Sequence, residues 1–389
     1  MKYPYAKHFI SKNNIEAVVD VLENKSLTQG DSVVKFEKDL ANFLDCKEVI
    51  VCSSGTAALH LIYLAMGLSK NSAILTTPIT FLATAHAARY LDANVYFADV
   101  EPDSGLICKE SVYNILKKLK DKIKVLVLVH LGSKVCDLEY FKKIAKEFNI
   151  FLVEDSCHSL GEKYISKNNK VSMVGSAKYS DAAAFSFHAI KNITTGEGGA
   201  IATNNKKLAE KIKLFRSHGS IRDKKWKDTL GRGPWYYESK LLGFNYRLTD
   251  FQAALGSSQL KVLKKQNKHK EIIAHKYISL LKDCKYICLP KLKHKKFNQA
   301  WHLFSININF KKIKKNKNEI MRELEKKGIG TQIHYIPIYK QPIYKNTSSK
   351  ILKGAEGYYK STLSLPIYPT LTEKDVEYIV HNLKKILYG

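Results

Sequence analysis

The chain has 389 residues, 45% of them hydrophobic, and a formal charge of +28; it is too long for one small core and ordinary in apolar content. No stretch reaches the roughly 18 uninterrupted apolar residues of a membrane span, and Met1 to His8 lack the apolar run of a signal peptide, so a cytoplasmic protein with no membrane partner is expected. The arginines are only Arg89, Arg216, Arg222, Arg232, Arg247 and Arg322; arginine is the residue suited to forked phosphate and base contacts, so a dedicated nucleic-acid partner is not expected.

In chain order, the first predicted strand is Val49–Cys52, followed by a helix over Thr56–Met66. Strands follow at Ala73–Thr76, Asn94–Ala98, Lys124–Val129, Ile150–Glu154, Ala182–Phe187 and Ala200–Thr203, with helices at Phe81–Tyr90, Lys109–Lys120 and Asp137–Phe148. Several strands are near-continuous in Val, Ile, Leu, Phe or Ala, as strands buried on both faces are. The alternation predicts an α/β protein with a mostly parallel sheet covered on both sides. Right-handed crossovers would line the strand ends and their loops along one ligand-binding edge. From Thr249 the pattern changes to a long helix, Thr249–Asn267 continuing towards Lys282, then polar strands over Trp301–Phe310 and helices at Lys317–Lys327 and Glu373–Leu387. We therefore expect a large domain over 1–248 with an N-terminal arm, and a smaller α/β domain over 249–389 entered by the linking helix. The seven cysteines are scattered without a Cys-x-x-Cys pair, which predicts buried free thiols and no metal site.

Four segments carry candidate chemistry. Lys191, in Phe185–Ala200, follows an apolar strand and precedes a glycine-rich turn; a desolvated lysine there is a usable nucleophile, though in so lysine-rich a chain it is also one lysine among many. Asp155, in Glu154-Asp155-Ser156-Cys157-His158, ends a strand, where a carboxylate can oppose a pyridinium nitrogen or cap a helix. His158 is read either as packing against a bound ring, or bonding its oxygen, or as a core histidine. Ser53-Ser54-Gly55-Thr56 places small hydroxylated residues at a helix start, a site for a dianion or an ordinary cap. Phe81, after the Pro78 turn, is either a stacking partner for a ring or a core aromatic.

Together these segments, with Arg216-Ser217-His218-Gly219 and Gly243-Phe244-Asn245-Tyr246-Arg247-Leu248-Thr249-Asp250, resemble the DegT/DnrJ/EryC1/StrS sugar aminotransferases. The resemblance implies fold type I, with a mostly parallel seven-stranded sheet and a smaller C-terminal α/β domain, and the cofactor pyridoxal 5'-phosphate (PLP). It implies that Lys191 carries the cofactor and moves protons. Asp155 would pair with its ring nitrogen, and Gly55, Thr56 and Ser186 would hold its phosphate. Phe81 would stack on the ring and His158 lie beside it. Asn245 would reach the phosphate in the partner subunit of a homodimer with shared sites. Leu27-Thr28-Gln29-Gly30, Thr76–Phe81, Gly233–Glu238, His334-Tyr335-Ile336-Pro337 and Leu363-Ser364-Leu365-Pro366 are similar, more narrowly, to the UDP-4-amino-4,6-dideoxy-N-acetyl-β-L-altrosamine transaminases of pseudaminic acid synthesis. That likeness implies amino transfer from L-glutamate, released as 2-oxoglutarate, to C4 of a UDP-linked keto-sugar. Arg232, Arg247, Trp235, Tyr236, Tyr237 and Tyr335 are the candidate substrate contacts.

Overall fold

The computed structural model describes residues 1–119, 121–132, 134–221, 233, 235–291, 299–345 and 351–389. Two amphipathic helices that the sequence reading passed over, α1 (Lys12–Asn24) and α2 (Asp31–Leu44), precede β1 (Glu48–Cys52) and α3 (Gly55–Ala65). The alternation continues through β2 (Ala73–Thr76), α4 (Ala83–Arg89), β3 (Asn94–Phe97), α5 (Lys109–Leu119), β4 (Ile123–Val129), α6 (Leu138–Glu147) and β5 (Phe151–Asp155). A hairpin of β6 (Lys163–Ile165) and β7 (Val171–Met173) comes before β8 (Ala182–Ser186), β9 (Gly199–Thr203) and α7 (Lys206–Arg216).

Seven of these strands form one α/β sheet in the order β1-β9-β8-β5-β4-β2-β3. β3, β2, β4, β5 and β8 pair in parallel, whereas β9 runs antiparallel to both β8 and β1. The reversal has a simple cause. A parallel crossover needs a dozen or more residues that usually include a helix, and the β8–β9 connection is a glycine-rich loop with no helix in it. Its ends are closed by Phe187 N–H to Gly198 O at 2.8 Å and Thr195 N–H to Phe187 O at 3.0 Å. The C-terminal ends of β1, β2, β4, β5 and β8 and the start of β9 therefore share one edge of the sheet. The exposed flank of β1 is covered, as an edge strand must be. Val51 N–H donates to Glu37 Oε1 at 3.0 Å, and Arg216 Nη1 donates to the same oxygen at 2.7 Å and to Val51 O at 2.9 Å.

After a short pair, β10 (Ser220–Ile221) with β11 (Glu238–Ser239), one unbroken helix, α8, spans Asp250–Leu281. Its first half packs on the sheet side, with Ala253 and Leu263 against Phe36, Leu40 and Leu44. Its second half packs Ile273, Ala274, Tyr277 and Leu281 into a separate cluster. That cluster belongs to a three-stranded antiparallel sheet, β12 (Ile287–Cys288), β13 (Phe304–Ile308) and β14 (Thr362–Leu365), with α9 (Lys317–Lys326), α10 (Lys353–Ser361) and α11 (Glu373–Tyr388). The strand expected over Trp301–Phe310 is thus limited to Phe304–Ile308. Trp301 is instead fully buried ahead of it. Tyr3 also joins this cluster, and its N–H donates to Gly328 O at 2.8 Å, so the first residues pack with the last third of the chain. No described helix is long and apolar enough to cross a membrane. The cysteines are free thiols, but Cys288 is exposed, against the expectation of burial.

Asp250 ties the two ends of the sheet-side assembly together. It is buried at the first turn of α8, and its carboxylate takes the N–H groups of Gly30 (2.9 Å), Ser32 (3.0 Å) and Val33 (3.3 Å). No side chain of α2's own caps that helix. Charge-assisted bonds to orphan helix donors are the strong kind. Asp250→Ala is expected to lower unfolding free energy by about 2–3 kcal/mol, read by urea denaturation; Asp250→Asn, which keeps one acceptor, is expected to cost less.

Candidate active site

Asp155 is buried at the end of β5, so its carboxylate must find donors. Oδ2 accepts from Thr84 Oγ1 at 2.7 Å and Oδ1 from Cys157 N–H at 3.3 Å. Thr84 is itself bonded to Thr80 at 2.8 Å. These two threonines, one helical turn apart after the Pro78 turn, were not singled out in the sequence. Their spacing was the available signal.

Lys191 sits in the β8–β9 loop, its N–H bonded to His188 O at 2.9 Å. Its side chain and that of Asp155 line one cavity of 670 Å³ at the sheet edge. Burial lowers the pKa of the Lys191 ammonium, while negative charge on Cys157 and Asp155 would raise it. Burial also pushes the Cys157 thiol well up. It is therefore protonated and uncharged at neutral pH, and Asp155 is the charge that opposes burial.

Another wall is the N-terminus of α3. Ser54 Oγ caps it by accepting from Ala57 N–H at 3.0 Å, and the N–H groups of Gly55 and Thr56 have no acceptor among the described residues. A Cβ on Gly55 would come 2.8 Å from Ser186 Cβ. The lack of one lets the helix end and Ser186 meet in one cup, where orphan N–H groups and the helix dipole favour an anion.

A third wall comes from the segment around Tyr335, tied to the sheet edge where Ile338 N–H donates to Pro78 O at 2.9 Å. His158 Nδ1 accepts from Gly132 N–H at 3.3 Å. Burial, then the charges of Lys191 and His334, hold His158 well below its usual pKa. A neutral ring accepting at Nδ1 carries its proton on Nε2. That proton goes to Tyr335 Oη at 3.1 Å. Both nitrogens are thus engaged within the chain, which leaves His158 to pack rather than to bond a ligand oxygen. It packs on His302, with ring centroids 4.4 Å apart. Tyr335 keeps its own proton, since burial raises it well above the usual phenol range. Its oxygen accepts from His158, so its O–H is left to donate elsewhere. His334 is neutral, burial and Lys191 lowering it to about 3, and it bonds Ser364 Oγ at 2.8 Å.

Of the residues singled out in the sequence, Gly55, Thr56, Phe81, Asp155, His158, Ser186, Lys191 and Tyr335 all line this cavity. Phe81 is 58% exposed, which rules out the core reading. Asn245, Arg247, Trp235, Tyr236 and Tyr237 do not line it. Asn245 and Trp235 are exposed, and Tyr236 Oη donates to Glu238 at 2.7 Å. Arg232 lies outside the described residues. Sequence reasoning missed Tyr5, His302 and Gln332, which also line the cavity. Their position depends on the C-terminal third and the N-terminal arm folding over the sheet edge.

Residues 8–384 match the model of the DegT/DnrJ/EryC1/StrS aminotransferase family. The chain is 36% identical over 384 residues to a UDP-4-amino-4,6-dideoxy-N-acetyl-beta-L-altrosamine transaminase of Campylobacter jejuni, covering 98% of this chain and 97% of that one. It is 33% identical over 390 residues to the spore coat polysaccharide biosynthesis protein SpsC of Bacillus subtilis, covering 99% and 97%. Among solved structures it is similar to Helicobacter pylori PseC, an aminotransferase involved in the biosynthesis of pseudoaminic acid, with TM-score 0.89, 34% identity and full coverage of both chains.

The shift at Lys191 has a measurable sign. In competitive acylation followed by peptide mapping, Lys191 is expected to titrate at lower pH than the surface lysines, because burial disfavours its charged form. Asp155→Asn removes the opposing charge and is expected to move that midpoint lower still; a midpoint moving upward would contradict the assignment.

Proposed function

The chain belongs to the DegT/DnrJ/EryC1/StrS aminotransferase family and is a PLP-dependent sugar transaminase; on that premise we propose that it moves an amino group from L-glutamate to C4 of a UDP-4-keto-6-deoxy-N-acetylhexosamine. The product would be UDP-4-amino-4,6-dideoxy-N-acetyl-β-L-altrosamine, on the route to pseudaminic acid. The observation that carries the reading is that the Lys191 amine and the Asp155 carboxylate border one cavity.

The residues present fit the cofactor chemically. Bound PLP supplies an electron sink for the carbon that loses its proton. Lys191 Nζ, its pKa lowered by burial, takes that proton and returns it to the product carbon. Asp155, held by Thr84 and Cys157 N–H, has a second lone pair on each oxygen for a ring N–H. The N–H groups of Gly55 and Thr56, with the Thr56 and Ser186 hydroxyls, take the phosphate. Phe81 and His158 contribute their rings to packing. The Tyr335 O–H donates to a substrate oxygen.

No arginine lines the cavity among the described residues, yet a nucleotide diphosphate needs cationic partners. We assign that task to a second copy of the chain. In a homodimer the exposed Asn245, the half-buried Arg247 and the Trp235-Tyr236-Tyr237 segment, with Arg232, would serve the partner's cavity. A second reading is another nucleotide-linked keto-sugar such as a perosamine-type or D-configured 4-keto substrate; a relative of similar identity carries a different name, a spore coat polysaccharide biosynthesis protein.

Turnover with glutamate separates the two readings: we expect product from the L-arabino 4-keto UDP-sugar and little from the D-xylo isomer, and the reverse preference would establish the second. Lys191→Ala is expected to abolish turnover and the visible absorption of bound cofactor. Tyr335→Phe is expected to lower kcat/KM about tenfold to a hundredfold through loss of one hydrogen bond, while keeping that absorption.

A further inference from the structure

A second, narrower cleft meets the first at Ile190, Lys191 and His302. It has room for 20 Å³, enough for one water-sized guest. It lies between the N-terminal segment 6–9, the α8 side chains and Trp301, and the chemistry of the transaminase cavity makes no use of it.

The polar groups around this cleft are unbalanced. Lys270 on α8 is 4% exposed, and its Nζ donates to Asn192 Oδ1 at 3.0 Å. Among the described residues no carboxylate stands within ion-pair distance of it; the attraction of Glu162 reaches it from farther away. Burial lowers it to about 7, as expected for an ammonium with one neutral acceptor. Trp301 Nε1 is buried and has no acceptor, and the same holds for Gln266 Nε2. Both amide protons of Gln259 are already used, donating to Phe9 O at 2.9 Å and Asn14 Oδ1 at 2.8 Å. Asn192 donates to Leu160 O at 2.9 Å. What remains unmatched is an indole N–H, an amide N–H and the other protons of a buried ammonium, carried by three residues that line one cleft. A water molecule could accept from these donors but would bring no charge to offset the ammonium. A guest that only accepts, and carries negative charge, satisfies all three and neutralises Lys270.

We propose that this cleft binds one monatomic monovalent anion, of which chloride is the natural occupant, held by Lys270, Trp301 and Gln266 beside the loop that carries Lys191. The site is independent of which sugar the enzyme takes.

The full-length protein is tested by thermal unfolding in sodium chloride, sodium bromide and sodium gluconate at equal ionic strength, and by anomalous diffraction from bromide-soaked crystals. The expected result is a saturable rise in Tm with either halide and not with gluconate, and a bromide peak in the cleft. Trp301→Phe, which keeps an aromatic ring and removes one donor, is expected to raise the half-saturating halide concentration about tenfold. Lys270→Met is expected to abolish the halide-specific increment. Equal Tm in halide and gluconate, a water in place of bromide, or an increment unchanged in Trp301→Phe would overturn the proposal.

Discussion

A carboxylate at the buried end of β5 sets the terms for the rest of the site. Asp155 cannot be left without donors, and Thr84 and the Cys157 N–H hold both its oxygens. That fixes the carboxylate in place and draws α4 against the strand end. Its charge also limits how far burial can strip the proton from Lys191. The lysine is thereby kept between two demands: desolvated enough to act as an amine, and countered enough to be reprotonated. Reversal of the chain at β9 is what lets the Lys191 loop turn back over this edge, since a helical crossover would have carried it to the sheet's face.

The parts of the fold legible in the sequence are those in which one residue pattern has one reading. Near-continuous apolar runs such as Leu126–Val129 and Ala182–Phe185 can only be buried strands, and the structure places them in the centre of the sheet. The direction of β9 was not legible, because Ala200–Thr203 has the same composition whether it runs up or down. The helices α1 and α2 were passed over because their buried residues are few, and part of their apolar content, Ile15, Val19 and Leu22 on α1 and Val34 on α2, stays exposed. At the site, Asp155 and Gly55 could be found because each stands at a strand or helix end, and Lys191 because it lies in the loop between two apolar strands, where sequence order fixes position. Tyr335 emerged only through a motif likeness. Its partnership with His158 joins residues far apart in the chain and depends on the Pro78–Ile338 bond, which no local pattern announces. Arg216 shows the converse: it stands in a motif of the family, and here it seals the β1 edge.

The charge of +28 is carried mainly by lysine. The lysines are mostly on solvated faces, and within the cavity Lys191 is the one lysine among the described lining residues. A broadly positive surface still draws anions towards the molecule. Recognition of a diphosphate needs forked or clustered donors at a fixed distance, and among the described residues lining the cavity no arginine stands.

Borohydride reduction of the PLP-loaded protein followed by peptide mass mapping bears most directly on the central claim. The account predicts the cofactor's mass on the peptide containing Lys191, with the yield sharply reduced in Asp155→Ala. Label on another lysine, above all the buried Lys270, or a yield indifferent to Asp155, would contradict it.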